Sequence, residues 1–512
     1  MIQRAMAIAL LGAVIAAACL GGSCGNATES GSPSSVSVSG LYPSFNPDET
    51  RYVSRCGRGG EPIRVDSRQI DPGVRPGEDF ALTVRSGDER RSYDVRCLPA
   101  DFPSWKFEAS RPVEPGLFVV AFRASREARP WVIVFDHEGV PRWWYSPDTR
   151  ALWGQILSDG TVSWARSFGD GYGLDPRMAH EVRSLSGELV RVVRTKGEIV
   201  DGHEFRELNN GNVLVDTYAP GGKVNLSRFG GPENALAVFG EVQEIDPDGR
   251  VVWQWNSRDR IDLGETGRWW RNVLGGRKRN PPGLATFDPV HINSIEPRGP
   301  DEVVVSMRHT DAIYGIERST GDIRWKLGGT ETADSLRIVG DPAAKLFGGQ
   351  HDARVDEDGD ISVYDNGKDR PRRPRVVSYR LDLGKNTATY LGQLNDPRIT
   401  TSHCCGSARP LEGGGWIVSW GDNPLVTGYD REGRIAFRLL LPASTFRAVP
   451  VPAGATSLGG LDRGLEVLES QVETHATRAS LASNSYLRAS ATIDSMPGTK
   501  FTRPPSSSPQ SA

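Results

Sequence analysis

The sequence predicts an all-β protein: a six-bladed β-propeller preceded by a small β-sandwich. Two observations lead to this prediction. Short segments of alternating apolar and polar residues are separated by glycine-containing turns, and one pair of hairpins returns along most of the chain. The 58 glycines and 35 prolines among 512 residues are typical of such a turn-rich chain. The formal net charge of −3 gives no reason to expect nucleic acid or an anionic membrane surface as a partner.

Residues 1–19 have the pattern of an export signal. A basic residue precedes an apolar run from Ala5 to Ala18, which is too short for a comfortable membrane span. Residues 16–19 resemble a bacterial lipobox, so two outcomes are open: lipidation of Cys19, or plain cleavage near Ala18. Both outcomes predict a protein exported to the periplasm or cell envelope, with a lipid on Cys19 as its one predicted membrane anchor.

Two segments are predicted to have little fixed structure. Residues 20–40 are rich in glycine and serine and suit a flexible linker. Residues 449–512 lack a periodic apolar face and end in a Pro/Ser-rich stretch, so most of this C-terminal tail is expected to be disordered or loosely attached.

Residues 41–102 contain short strands separated by turns, which favours a small β-sandwich. Cys56 and Cys97 bracket this segment, and export permits a disulfide between them. The segment carries no cluster of reactive residues. We therefore expect it to act as a scaffold or docking domain.

Residues 103–448 contain the repeat that predicts the propeller. One hairpin, as in VIVFDHEGVPRWWY, occurs six times, and its turn glycines are Gly139, Gly187, Gly249, Gly321, Gly384 and Gly433. A second hairpin precedes each copy after the first, which gives about four strands per unit. Sheets of this kind, repeated around an axis, close a ring without exposed edges. We expect the opening strand near GLFVVAFRA to complete the last blade.

Histidine recurs at one position of the repeat. Three histidines lie eight residues before a turn glycine: His203, His291 and His351. The equivalent residue of the next unit is Ser407. In a propeller, this position is where the chain enters the inner part of a blade, so the three imidazoles are predicted to face one another across the central channel. His309 does not lie at this position of the repeat, so no role is predicted for it.

Two polar residues accompany the histidines. Asn293 follows His291 by two positions and shares its face of a strand. Arg308 ends the next strand. Imidazoles, an amide and a guanidinium suit an anion such as sulfate or phosphate, because arginine offers two parallel donors to oxyanions.

A metal site is the rival interpretation, since three histidines can bind Zn²⁺ or Cu²⁺. Arg308 would oppose a cation. Glu204 and Asp352 directly follow histidines and would face away from them in a regular strand. We therefore predict neither a metal nor a cofactor.

Several segments, in order along the chain, resemble the arylsulfotransferases: GHEF, HINSI, VSMRH, WKLGG, GQHDAR, VYDNG and GSARPLEGGGWIVSWG. These are exported bacterial enzymes that use aryl sulfates as donors, and the resemblance spans residues 103–448. It implies a six-bladed propeller. It also implies transfer of a sulfuryl group from an aryl sulfate to a phenol, by a ping-pong mechanism with a sulfohistidine intermediate.

The resemblance assigns roles to individual residues. His351 corresponds to the nucleophile that carries the sulfuryl group. The residues that correspond to those around this group are His203, His291, Asn293 and Arg308. The implied partners are small aryl sulfates and phenols.

Two features lie outside the family pattern. Cys404 and Cys405 are adjacent, and both a strained vicinal disulfide and two thiols are open for them. Residues 257–289 contain GRWWRNVLGG. This segment is either a lid whose Trp269 and Trp270 stack on an aromatic substrate, or an insertion packed against the propeller rim.

Two function classes other than sulfotransferase remain open. A non-catalytic propeller could bind a ligand or partner in the envelope, and a metal-dependent hydrolase or lactonase would need a bound metal ion. A sulfatase differs from the transferase in acceptor alone, because it uses water where the transferase uses a phenol.

Overall fold

The structure is a computed structural model that describes residues 38–56, 62–66, 68–70, 79–86, 89–111, 116–168, 175–275, 278–279, 285–343, 347–411, 413–479 and 489–494. The predicted signal peptide, Cys19 and most of the linker lie outside these residues. The fold is mostly β. Within the ranges given, no helix is both long and apolar enough to cross a membrane.

The N-terminal region contains two small sheets that share a core. The strands of the first are Val38–Ser39, Ile63–Val65 and Arg68–Ile70. Those of the second, in order across the sheet, are Arg51–Ser54, Glu89–Cys97, Asp79–Ser86 and Ala489–Asp494. Tyr52, Phe80 and Tyr93 are buried between them. The predicted disulfide between Cys56 and Cys97 is present.

Six further sheets follow along the chain, and we number them 1 to 6. Sheet 1 consists of Ala448–Pro450, Leu117–Arg123, Pro130–Asp136 and Pro141–Tyr145. Sheet 2 consists of Arg150–Ile156, Val162–Ser167, His180–Arg183 and Leu189–Val193. Sheet 3 consists of Val200–Glu207, Val213–Val224, Ala235–Ile245 and Val251–Asn256, with the short strands Ala285–Phe287 and Lys278–Arg279 at its side.

Sheets 4 to 6 repeat the same antiparallel order. Sheet 4 consists of Ile292–Arg298, Glu302–Met307, Ala312–Glu317 and Ile323–Gly328. Sheet 5 consists of His351–Val355, Ile361–Asp365, Arg375–Asp382 and Thr387–Leu394, with Arg337–Val339 at its edge. Sheet 6 consists of Ser407–Pro410, Trp416–Ser419, Leu425–Tyr429 and Ile435–Leu440, with Lys106–Ala109 at its edge.

The described helices are few. The α-helices are Trp270–Gly275 and Leu458–Ala479. The 3₁₀ turns are Ser227–Phe229, Leu263–Trp269 and Arg308–Thr310.

Both ends of the repeat region exchange strands. Ala448–Pro450, from the C-terminal end, pairs with Leu117–Arg123 in sheet 1, and Lys106–Ala109, from the N-terminal end, pairs with Ile435–Leu440 in sheet 6. The expectation that the GLFVVAFRA strand completes the last sheet is therefore wrong. That strand pairs over its whole length with Pro130–Asp136, its neighbour in sequence, because a short connection costs little loop entropy.

Neighbouring sheets pack face to face through shared apolar clusters. Leu214 of sheet 3 packs with Ile295 of sheet 4, and Trp325 of sheet 4 packs with Val363 of sheet 5. Strands inside the stack are apolar on both faces, as in the run of three buried valines Val303–Val305. The alternation of a half-exposed strand is lost there because both faces of the sheet are covered.

The tail differs from its prediction. The helix Leu458–Ala479 begins after Ser457, whose Oγ accepts the Gly460 N–H at 3.1 Å. Its buried Leu461 and Leu465 lie one turn apart and join the core cluster of sheet 1. The prediction of a largely disordered tail is wrong for this segment. The last 18 residues lie outside the described residues.

Candidate active site

The three repeated histidines enter their sheets at irregular positions. The pairing register of the first strand shifts within the stretches Val200–Phe205, Ile292–Ser294 and His351–Arg354. His291 and Asp352 have positive φ angles of 56° and 54°. A β-bulge of this kind lets two successive residues point to the same side of a strand. A histidine and the residue after it can therefore both face the interior.

The structure brings the predicted histidines together and adds one more. The ring centroids of His203 and His291 are 4.9 Å apart, and those of His291 and His309 are 4.7 Å apart. The Phe446 ring lies between His203 and His351, at 5.5 and 6.2 Å from them. We call these four imidazoles, together with Arg308, the histidine cluster.

His203 is held by a pair of buried carboxyl groups. Its Nδ1 hydrogen-bonds a carboxylate oxygen of Asp201. Burial, reinforced by the charge of Asp201, raises the pKa of the adjacent Asp216 well above its ordinary value. Burial beside Asp201 therefore disfavours a negative charge on Asp216. A carboxylate at Nδ1 stabilises positive charge on the ring, so His203 is suited to hold a proton at Nε2 and to donate it.

Asp288 positions two further imidazoles. Its Oδ2 lies 2.5 Å from His291 Nδ1, and its backbone carbonyl lies 2.8 Å from His309 Nδ1. The Tyr218 hydroxyl lies 2.8 Å from His291 Nδ1 as well. Burial and the neighbouring His291 lower the pKa of His309 well below its ordinary value. His309 is therefore neutral at pH 7, and its Nε2 accepts a hydrogen bond from Arg308 Nη1 at 2.9 Å.

His351 has a different environment. Its Nδ1 lies 2.9 Å from both the Gly349 carbonyl oxygen and Asn366 Oδ1. Both atoms are acceptors, so Nδ1 carries the proton and Nε2 the lone pair. That Nε2 accepts the Cys405 N–H at 3.1 Å. Burial, together with the charge of Arg308, lowers the pKa of His351 to about 3. The ring is neutral at pH 7, as a nucleophile must be.

The two asparagines near His351 are both fixed by hydrogen bonds. Asn366 Nδ2 donates to Ser402 Oγ at 2.8 Å, which turns Oδ1 toward His351. Asn293, predicted to bind substrate, donates from Nδ2 to the Gln350 carbonyl at 2.8 Å. It anchors the backbone next to His351 in this way. Its buried Oδ1 has no hydrogen-bond partner in the described part of the chain.

Arg308 supplies the positive charge of the cluster. Besides its bond to His309, it donates from Nη2 to the His403 carbonyl at 2.9 Å. Burial lowers its pKa, and among the described residues its buried Nε has no partner and no carboxylate forms an ion pair with it. A partly buried guanidinium in this state is suited to an external oxyanion.

The two tryptophans of the insertion share one apolar cluster but have different partners. Trp269 is 1% exposed, donates to Asp311 Oδ1 at 2.9 Å, and carries the Arg308 guanidinium 4.3 Å from its ring centroid. Trp270 stacks on Phe229, with ring centroids 4.5 Å apart. Trp269 therefore forms a wall of the histidine cluster, whereas Trp270 does not reach it. These contacts match the packed-insertion alternative more closely than the lid.

Glu204 and Asp352 do not face away as expected. Glu204 pairs with Arg447 at 2.8 Å and with Arg354 at 2.5 Å, and Asp352 pairs with Arg354 at 2.6 Å and with Arg409 at 2.7 Å. The bulges described above turn both carboxylates inward. Although burial opposes it, the charges of Arg354 and Arg447 lower the pKa of Glu204 to about 2. With Glu296, these residues form what we call the ion-pair cluster.

In the described part of the chain, two groups of side chains have donor atoms within 4.8 Å of one another, as a metal site requires: Asp288 with His291 and His309, and Asp201 with His203 and Asp216. In the first group, Arg308 donates to the Nε2 of His309. In the second, burial raises the pKa of Asp216 well above its ordinary value, which disfavours the ionised form that binds metal ions. The guanidinium beside the first group and the disfavoured carboxylate of the second both oppose a cation.

The sequence contains signals for the residues that were missed. His309 directly follows Arg308, and Asp201 precedes His203 by two positions on the same strand. Asp288 lies three residues before His291. The roles of these residues depend on which ring nitrogen each imidazole presents, and spacing along the chain does not determine that.

A mostly β fold with imidazoles around a guanidinium that has no carboxylate ion-pair partner among the described residues is suited to handle an anionic group. A family model described as Arylsulfotransferase (ASST) matches residues 155–441, more than half of the chain. The chain belongs to the arylsulfotransferase family. The match contains His203, His291, Arg308 and His351, and membership supports a sulfotransferase activity in general.

Solved structures that match the chain share little sequence with it. A protein of unknown function from Bacteroides caccae is 12% identical, with a TM-score of 0.40, over 66% of this chain and 99% of its own. A putative 6-phosphogluconolactonase from Bacteroides fragilis is 12% identical, with a TM-score of 0.36, over 67% and 100%. The WD40 β-propeller domain of Doa1 is 10% identical, with a TM-score of 0.32, over 76% and 88%. The comparison with curated proteins gave no match.

Proposed function

We propose that the protein is an aryl-sulfate-dependent sulfotransferase that moves a sulfuryl group from an aryl sulfate to a phenol through a sulfohistidine on His351. One observation carries the proposal. A neutral imidazole, whose Nε2 carries the lone pair and accepts the Cys405 N–H, feels the charge of a partly buried guanidinium that lacks a carboxylate ion-pair partner among the described residues. The first is a nucleophile, and the second is an oxyanion site.

In the first half-reaction, His351 Nε2 forms a bond to sulfur while the bond from sulfur to the aryl oxygen breaks. The proton stays on Nδ1. It remains hydrogen-bonded to Asn366 Oδ1 and to the Gly349 carbonyl oxygen, which stabilise the positive charge that develops on the ring. Arg308 donates to the sulfuryl oxygens. The phenolate leaves and takes a proton from His203, whose imidazolium Asp201 stabilises.

In the second half-reaction, the phenolic acceptor attacks the same sulfur and the bond from sulfur to Nε2 breaks. His203, now neutral, takes the phenol proton and returns to its first state. Division of the transfer into two displacements through one nucleophile gives ping-pong kinetics. Donor and acceptor bind in turn at the same place, so the site has to recognise one aromatic ring at a time.

We also propose that the six sheets are the blades of one closed six-bladed propeller, with the N-terminal sheets as a small sandwich beside it. The strand exchange at both ends supports closure. Export is proposed on the signal-like residues 1–19, and the Cys56–Cys97 disulfide agrees with an oxidising compartment.

The test is turnover of 4-nitrophenyl sulfate by the purified protein, with and without an added phenol. We expect nitrophenol release to accelerate with phenol and a sulfated phenol to appear in equal amount. His351→Ala should abolish both products, whereas the matched control His137→Ala, at a turn of sheet 1, should keep them. Equal release with and without phenol would replace the transferase by a sulfatase. Activity retained in His351→Ala would overturn the mechanism.

A further inference from the structure

The adjacent cysteines, which the family pattern does not explain, lie against the proposed nucleophile. Cys404 and Cys405 are free thiols whose sulfur atoms lie 2.7 Å apart. The Cys405 N–H donates to His351 Nε2 at 3.1 Å, and the Cys405 carbonyl accepts from Asn366 Nδ2 at 3.1 Å. One residue earlier, the His403 carbonyl holds Arg308. This turn therefore contacts the attacking nitrogen, its orienting amide and the guanidinium.

The backbone of the turn is tightly constrained. Cys405 has a positive φ of 64°, which is uncommon for a residue with a side chain, and Gly406 has a φ of 102°. A Cβ added at Gly421 would collide with the Cys404 carbonyl oxygen. Packing thus holds the peptide between the two cysteines in a single place, and a change within that peptide is transmitted to His351.

The two thiols are chemically unequal. The hydrogen bond with the Cys405 thiol lowers the pKa of Cys404, and the nearby charge of Arg308 acts in the same direction. That same contact, together with burial, raises the pKa of Cys405. Both cysteines are partly buried, and Cys404 is the more readily deprotonated of the two, to the thiolate form that reacts with oxidants.

We propose that Cys404 and Cys405 are a reversible oxidation site, where a vicinal disulfide forms and displaces the peptide N–H that faces His351. The oxidant class is a peroxide. The Cys404 thiolate attacks one peroxide oxygen and becomes a sulfenic acid, and the Cys405 thiol then attacks that sulfur and releases water. In total, two thiols and one hydrogen peroxide give one disulfide and two waters. A dithiol reverses the change by thiol–disulfide exchange.

The geometry of the ring explains why oxidation alters the site. Neighbouring Cα atoms are about 3.8 Å apart across a trans peptide, whereas disulfides usually span about 4.4–6.8 Å. A bond between adjacent cysteines therefore twists the peptide that joins them. The N–H on His351 Nε2 belongs to that peptide. In the reduced turn this N–H lies beside Nε2, where it is placed to donate to a sulfuryl oxygen once the Nε2 lone pair forms its bond to sulfur, so the reduced form is the active one.

The modification is tested by mass. The full chain is reduced with a dithiol, freed of reductant and exposed to one equivalent of hydrogen peroxide. We expect the peptide that contains both cysteines to lose two hydrogens, while the Cys56–Cys97 bridge, followed in the same digest as an internal control, stays oxidised in all samples. Cys404→Ser should give no intramolecular disulfide. Absence of the two-hydrogen loss, or stepwise oxygen addition instead, would overturn the proposal.

The effect on the site has two readouts. The turnover readout depends on the proposed function: oxidation should slow release from 4-nitrophenyl sulfate about tenfold or more, with recovery after dithiol, and leave Cys404→Ser unresponsive. The second needs no substrate: the imidazole NMR signal of His351, identified by its loss in His351→Ala, should shift on oxidation. A disulfide that forms without shifting this signal would disprove the coupling. Protein that shifts the signal but turns over no aryl sulfate would count against the function alone.

Discussion

Two neighbouring groups of buried charges in this protein differ in one respect: whether their arginines are paired. In the ion-pair cluster, the carboxylates of Glu204, Glu296 and Asp352 meet three guanidiniums. In the histidine cluster, Arg308 meets imidazole and carbonyl groups. His203 and His351 each directly precede a carboxylate of the other cluster in sequence. Charge compensation, more than burial, therefore distinguishes the structural ion-pair cluster from the histidine cluster, which is prepared for an anionic ligand.

The largest expected effect comes from removing one arginine of the ion-pair cluster. Arg447→Met removes a fully buried guanidinium and leaves Glu204 with less than its full compensation. We expect the free energy of unfolding to fall by about 3–5 kcal/mol, because an uncompensated buried charge is costly. Chemical denaturation followed by fluorescence measures this. A loss below about 1 kcal/mol would show that the ion-pair cluster has no structural role.

The matched substitution in the histidine cluster should lower activity instead of stability. Arg308→Met should lower turnover of 4-nitrophenyl sulfate about 100-fold, the usual cost of losing one donor to a developing oxyanion. Stability should be unchanged or higher, since a buried charge without a carboxylate partner among the described residues is removed. Denaturation and kinetics on the same preparation give both numbers. Equal loss of stability in the two arginine variants would erase the distinction between the clusters.

A smaller effect is expected from the support of the proposed acid. Asp201→Asn keeps the shape of the contact to His203 and removes the charge. We expect turnover of phenyl sulfate to fall about tenfold, and that of 4-nitrophenyl sulfate to fall less, because the poorer leaving group needs the proton more. Leaving-group series on both proteins test this. An equal loss for all donors would assign Asp201 to folding instead of proton transfer.

A further effect concerns pH and stability. The pKa of His351 is about 3 in the folded protein and near its ordinary value of 6.5 when unfolded. Between these values the unfolded chain binds the extra proton, so the His351 contribution to stability is lost as pH falls from about 6.5 toward 3. Replacement of His351 by Gln should make the decline in stability over this window shallower. Denaturation midpoints from pH 7 to pH 4 provide the measurement, and identical slopes would contradict the low pKa.

Much of the strand order could be predicted from sequence, because each hairpin carries its own alternation and turn glycine. The Cys56–Cys97 disulfide followed from spacing alone and is confirmed. His203, His291 and His351 share one position of the repeat, which predicted that their rings lie near one another. In the structure, His203 contacts His291, and the Phe446 ring contacts both His203 and His351.

The failures have a common physical cause: they depend on contacts made at a distance or on local backbone irregularity. Strict two-residue alternation pointed Glu204 and Asp352 outward, and bulges turned them inward. The tail helix was missed because its apolar stripe is short and gains stability by packing on sheet 1. Asp201 lies on the same strand as His203, but Asp288, Gly349 and Asn366 lie in loops whose paths depend on the whole fold, so no local sequence pattern predicts their contacts.

The most direct test of the account is the intact mass of the enzyme quenched after mixing with 4-nitrophenyl sulfate in the absence of an acceptor. The account predicts a gain of about 80 Da, one sulfuryl group, located on the peptide that contains His351, acid-labile, and lost when phenol is added. Nitrophenol release without this adduct, or an adduct that persists in His351→Ala, would contradict it.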